Sequence, residues 1–166
     1  MRKIVFFVLL ICSAASAQHR RGPAVLFEVS NKEVVQSVFP EAQQVEKIDD
    51  YWYRVTDNSK KTIGFALSSK EFCQDVKGYN GVTPVLIVTD KKHVIKKVAL
   101  QSNYETQSFV NILVNSGFFN SWNGKSVKTA SDATIDGTTG ATFTANAVKK
   151  NVAFLLENGV KKLPKK

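Results

Sequence analysis

Two stretches of this chain each read as a pair of strands folded back on a short polar turn, and that pattern limits the fold more than any other. In the first, Tyr51–Val55 and Thr62–Leu67 are aromatic and β-branched and flank the turn-forming "TDNSKK". In the second, Pro84–Thr89 is mostly apolar, Asp90–Lys92 makes the turn, and Val94–Leu100 alternates less cleanly. Such runs between turn residues are hairpin signals. The period then changes. In "ETQSFVNILVNSGFF", Phe109, Val110, Leu113 and Val114 fit one helical stripe, and Gly117 is a natural stop. Val148, Val152 and Leu155 lie at i, i+4 and i+7, which gives a last helix one core-facing stripe ending near Gly159.

Upstream, "VSNKEVVQSVFPEA" reads as a short helix. Ser30 or Asn31 would cap it, Glu33 lies in its first turn, Val34, Val35 and Val38 form its apolar face, and Pro40 ends it. The order is helix, strands, strands, helix, loop, helix. Without regular βαβ alternation, the expected fold class is α+β, a mostly antiparallel sheet with helices packed on it. The 166 residues, 43% apolar and 22% charged, suffice for one domain with its own core, expected over 30–160.

The first residues read as an export signal over 1–17. Arg2 and Lys3 precede the apolar run Ile4–Cys12, and Ala15-Ser16-Ala17 is an A-x-A cleavage site. Ile11 stands where a lipid-modified Cys12 would want a small residue. The mature chain then begins at Gln18, with a lead-in over 18–29, a basic tail over 161–166 and no transmembrane segment. The location expected is periplasmic or extracellular. Losing Arg2 and Lys3 leaves 21 basic residues against 14 acidic ones, a net charge of +7. The lysines are scattered in pairs, and an exported chain has little occasion to meet nucleic acid. One cysteine, Cys73, remains, so no internal disulfide is expected, and an inert buried thiol is its simplest reading.

Most catalytic patterns fail on spacing. "WNGKS" ends like a phosphate-binding loop, but the first glycine of that motif would fall on Phe119. His19 and His93 are the only histidines, so no metal cluster is expected. No G-x-S-x-G marks a nucleophilic serine, and nothing brings Glu105 and Asp136 together as an acid/base pair. What remains is "DGTTGATFTANAVKKNV", residues 136–152. A glycine-rich turn ahead of a helix exposes backbone N–H groups that, with the helix dipole, favour phosphate. Gly137 and Gly140 permit unusual backbone angles, while Thr142 and Thr144 sit at the expected helix start. On this physics alone, a plain cap by Thr142 or Thr144 and an anion site both stand.

Read as D-x-x-T-G-A-T, Asp136 to Thr142 resembles the flavin-attachment motif of the FMN-binding domain family. That domain occurs in the flavin-carrying subunits of the sodium-translocating NADH:quinone reductase and of the Rnf-type electron transport complex. The resemblance extends to "GYNGVTPVLIVTDKKHVIKKVAL", to "SNYET" and to "SWNGKS". Upstream, "VFPEAQQVEKI" and "KTIGFAL" resemble the family's leading helix and first hairpin. It implies a flavin transferase that links FMN by a phosphoester to Thr142, with Asp136, Thr139, Gly140 and Ala141 as recognition elements and phosphate cradle. It further implies cofactor contacts from Gly78, Tyr79, Gly81, Glu105 and Thr106.

Tyr79 or Trp122 would pack on the flavin ring or in the core, and Lys125, Lys149 or Lys150 would offset phosphate charge or remain solvated. One departure is plain: the family often follows Glu-Thr with Pro-Gly-Leu-Gly, whereas Glu105-Thr106 runs into Gln107-Ser108-Phe109-Val110. The function implied is an exported electron carrier working between redox protein partners, membrane-bound ones among them. The alternatives are an exported binding module without flavin and a small flavin-dependent reductase.

Overall fold

The computed structural model describes residues 32–133, 135 and 139–165. The expected leader, the lead-in, the Ser30/Asn31 cap, Asp136 and Gly137 lie outside the described residues. Five strands, β1 (Gln44–Lys47), β2 (Trp52–Thr56), β3 (Thr62–Ser68), β4 (Val85–Asp90) and β5 (Ile95–Leu100), form one antiparallel sheet in chain order. Around it pack α1 (Lys32–Val38), α2 (Gln107–Asn115) and α3 (Thr142–Lys161), with short 3-10 turns at Phe118–Trp122 and Ala130–Asp132. The α+β class and both hairpins stand as the sequence implies.

The sheet is covered on both faces, which explains why β3 and β4 are almost continuously buried. Trp52, Phe65, Leu67, Val85 and Ile87 point to one side and pack with Leu113, Phe118, Trp122, Val148, Val152 and Leu155. Tyr53, Val55, Ala66, Leu86 and Val88 point to the other, with Val35 of α1 among them. These alternate along each strand, as a pleated backbone requires. The irregular pattern of Val94–Leu100 has a cause: the register between β4 and β5 shifts at Val88/Thr89, and the extra residue brings Ile95 and Val98 to the same core.

Three details correct the sequence reading and one bears it out. β1 was not foreseen as a strand; it is an edge strand of four mostly exposed residues, so burial leaves no period to read. Val114 is exposed, and the buried stripe of α2 runs instead through Leu113 with Phe109 and Ile112 beside it. Gly117 does stop α2, at φ 73°. Gly159 does not stop α3, which continues to Lys161. It is a contact point: its carbonyl accepts the indole N–H of Trp52 at 2.9 Å, and a Cβ there would strike Leu67.

The β4–β5 turn is held by Asp90. Its carboxylate accepts the backbone N–H groups of Lys92 (2.8 Å) and Val94 (3.0 Å) and pairs with Lys96 at 3.1 Å. Burial pushes this carboxyl up, but the Val94 N–H, the Lys96 ammonium and the Lys92 N–H together hold it below its ordinary value. A depressed folded value stabilises the protein above the unfolded value of about 4 and loses that contribution as pH falls through the folded one. Asp90→Ala should therefore cost about 1–2 kcal/mol at neutral pH. The gap from wild type should narrow in urea unfolding below about pH 4. Cys73 is buried, and burial pushes its thiol up, away from nucleophilic thiolate.

Candidate functional site

The motif Thr139–Thr142 delivers the chain into α3. Gly140 adopts φ 88°, a left-handed angle that suits glycine, and its open side faces Ile112. Ala141 is the N-cap, with no side-chain cap hydrogen bond. The expectation that Thr142 or Thr144 caps the helix is thus corrected. The first helical bond runs from the Ala145 N–H to the Ala141 carbonyl at 2.9 Å. The N–H groups of Thr142, Phe143 and Thr144 consequently have no partner within the helix.

The two threonines of the first turn have opposite fates. Thr144 is buried, and its hydroxyl donates to Glu105 Oε2 at 2.6 Å, across 39 positions of sequence. Thr142 is exposed. It lines a cavity of about 260 Å³ together with Tyr79, Phe109, Gly140, Ala141, Phe143 and Thr144. The walls are chiefly apolar. Tyr79 and Phe109 meet edge to face with ring centroids 4.7 Å apart. Tyr79, Tyr104 and Phe143 are the most exposed aromatic residues described, at 61%, 66% and 69%.

The Gly-Tyr-x-Gly loop closes one side. Lys77 and Val82 form an antiparallel bridge, and the Gly78 N–H donates to Gly81 O (2.9 Å) and to the Thr83 hydroxyl (3.0 Å). Gly81 takes φ 122° in this reversal. Glu105 reaches the loop from the segment between β5 and α2. It accepts the Tyr79 N–H and the Asn80 N–H, each at 3.2 Å, and lies 3.2 Å from the Thr83 hydroxyl. Asn80 Nδ2 donates to the Tyr104 carbonyl at 2.7 Å. A Cβ on Gly78 would collide with Glu105 Oε1, so the approach needs glycine there.

The expected residues accordingly divide. Gly140, Ala141, Thr142 and Tyr79 line one cavity, whereas Gly78, Gly81 and Glu105 do not line it but hold the loop that carries Tyr79. Thr139 is exposed just ahead of Gly140, and Thr106 is exposed at the N-cap of α2 without a side-chain cap bond. Trp122 is buried in the core, which resolves its earlier ambiguity in favour of packing. Lys125, Lys149 and Lys150 are not among the lining residues. Sequence reading missed Phe109 and Phe143 as cavity residues. Phe143 carried a signal, being a large apolar side chain between two threonines at a helix start; Phe109 read simply as part of a core stripe.

His93 lies between two core rings, stacked on Phe65 with centroids 5.2 Å apart and edge-on to Trp52 at 5.4 Å. Among the described residues no group of three or more metal-ligating side chains assembles, and no helix is long and apolar enough to cross a membrane.

An α+β domain with an aromatic cavity at an exposed helix N-terminus is suited to a planar ligand carrying a phosphate. Residues 78–157 match the family model of the FMN-binding domain. No curated protein matches the chain significantly. The match supports FMN as the cofactor and suggests electron transfer as its chemistry. The matched stretch opens at the Gly-Tyr-x-Gly loop and closes inside α3, so it spans the cavity. α1 and β1–β3 precede it, yet β3 pairs with β4 in one sheet.

Proposed function

We propose that this protein is an exported flavoprotein that relays electrons between protein partners through one FMN esterified to Thr142. The observation that carries the reading is an exposed threonine, Thr142, as the first residue of α3, at an aromatic cavity within the stretch that matches the FMN-binding domain. The residues suit the cofactor. Tyr79, Phe109 and Phe143 offer apolar faces to a flat ring, while the first-turn N–H groups, which have no partner within the helix, and the left-handed Gly140 suit a phosphate. Bound FMN supplies the redox chemistry; the chain holds the cofactor, tunes it and exposes it.

Attachment is a phosphoryl-type transfer that needs a partner. Condensing a threonine with free FMN releases water and has little driving force. An activated donor, a flavin dinucleotide, removes that obstacle. The Thr142 Oγ–P bond forms, the phosphoanhydride bond breaks, the nucleoside monophosphate leaves, and the hydroxyl proton passes to the transferase base or to solvent. A tether of this kind suits an exported carrier, because a dissociable flavin would be lost by dilution. Redox proteins, membrane-bound ones among them, complete the relay.

The test is retention. Protein co-produced with a flavin transferase and a supply of flavin dinucleotide should keep its yellow absorbance after denaturation and gel filtration. A colourless denatured protein, from a transferase shown to be active on another acceptor, would overturn covalent attachment. Steady reduction of a small acceptor without any protein partner would instead favour a stand-alone reductase.

A further inference from the structure

We propose that Glu105 is a positioning residue whose carboxylate latches the Tyr79 loop to the first turn of α3 and so sets the geometry of the flavin cavity. This rests on the reading of that cavity given above. Three partners of the carboxylate, the Tyr79 N–H, the Asn80 N–H and the Thr144 hydroxyl, donate to it, and the Thr83 hydroxyl shares its one proton between Glu105 Oε1 at 3.2 Å and the Gly81 carbonyl at 3.1 Å. Oε1 faces the Asn80 N–H and the Thr83 hydroxyl; Oε2 faces the Tyr79 N–H and the Thr144 hydroxyl. The loop side supplies one cavity wall through Tyr79, and the helix side supplies Thr142 two residues before Thr144. One side chain thus ties both walls together, from a segment that is itself held by the Glu105 N–H donating to Asn103 Oδ1 at 2.9 Å.

The chemistry requires a carboxylate. Only an ionised acid presents two oxygens that accept and no group that donates. A glutamine would set its NH₂ either against the Tyr79 N–H or against the Asn80 N–H, donor facing donor. The threonine hydroxyls can rotate to accept, but the backbone N–H groups cannot. Glutamine therefore loses one backbone bond whichever way it turns. Because both oxygens already serve protein donors, Glu105 acts through the cavity walls and not as a ligand of the cofactor.

The experiment has two readouts. Amide hydrogen exchange on the flavin-free protein reads the latch itself, and the single-turnover rate of flavin gain with the transferase reads its consequence. Glu105→Ala should speed exchange at Tyr79 and Asn80 by at least about tenfold while β4 amides stay protected; Glu105→Gln should do so at one of the two. Flavin gain should slow in both variants. Thr144→Val should slow flavin gain while leaving Asn80 protected, and Thr144→Ser should restore the wild-type rate.

Unchanged exchange at Tyr79 and Asn80 in Glu105→Ala would overturn the latch. Faster exchange with an undiminished rate of flavin gain would overturn its positioning role. Should the wild type gain no flavin, while exchange responds as stated, the latch stands and the flavin reading of the cavity falls.

Discussion

Thr142→Ala should abolish the gain of one FMN less water that intact-mass measurement is expected to find in the wild type. The expectation follows from how the hydroxyls of this region are disposed. Thr144 is buried and donates to Glu105, so its oxygen is engaged and shielded. Thr142 is exposed, lines the cavity and sits at the positive end of α3, where a developing phosphate charge is favoured by about 0.3–1 kcal/mol. Thr142→Ser keeps the hydroxyl and should keep attachment at a reduced rate, because the lost methyl frees the side chain to take other rotamers. The alanine variant should remain folded, since the residue is exposed and makes no cap. Circular dichroism of the flavin-free proteins checks this.

The second large effect concerns stability. Gly159→Val should destabilise the protein by about 3 kcal/mol, near the top of the range for overpacking. Gly159 is buried in α3 against Trp52 and Leu67, both fully buried. A Cβ strikes Leu67, and Trp52 must also keep its indole N–H on the Gly159 carbonyl. Neither can retreat into solvent. Gly159→Ala meets the same wall with less bulk and regains about 1 kcal/mol of helix propensity, so its cost should be smaller. Thermal unfolding reads the difference, with a fall of about 2–4 °C per kcal/mol expected for a chain of this size. A valine variant as stable as the wild type would contradict the close packing of α3 on the sheet.

The sequence announced this structure wherever burial imposes a period. β2 to β5 were legible from their β-branched runs and turns, and α3 from Val148, Val152 and Leu155, all buried. β1 was not, because Gln44, Glu46 and Lys47 of this edge strand are exposed, and an exposed strand imprints no pattern. Gly159 misled because a glycine inside a helix and a glycine at its end look alike in sequence; only Trp52, 107 positions away, tells them apart.

The site shows the same division. The turn before α3 was readable as a place for an anion, but the choice of Thr142 came from resemblance. The opposite exposures of Thr142 and Thr144 now supply a physical reason for it. The Glu105 contacts were beyond reach, since they join residues 22 to 39 positions apart through side-chain geometry that has no period.

Attachment at Thr142 is tested most directly by peptide mapping of the protein purified with its transferase, reading where the flavin mass sits. A single modified residue, Thr142, is expected, with Thr139 and Thr144 unmodified. Flavin mass on another residue, or a fully unmodified peptide despite an active transferase, would contradict it.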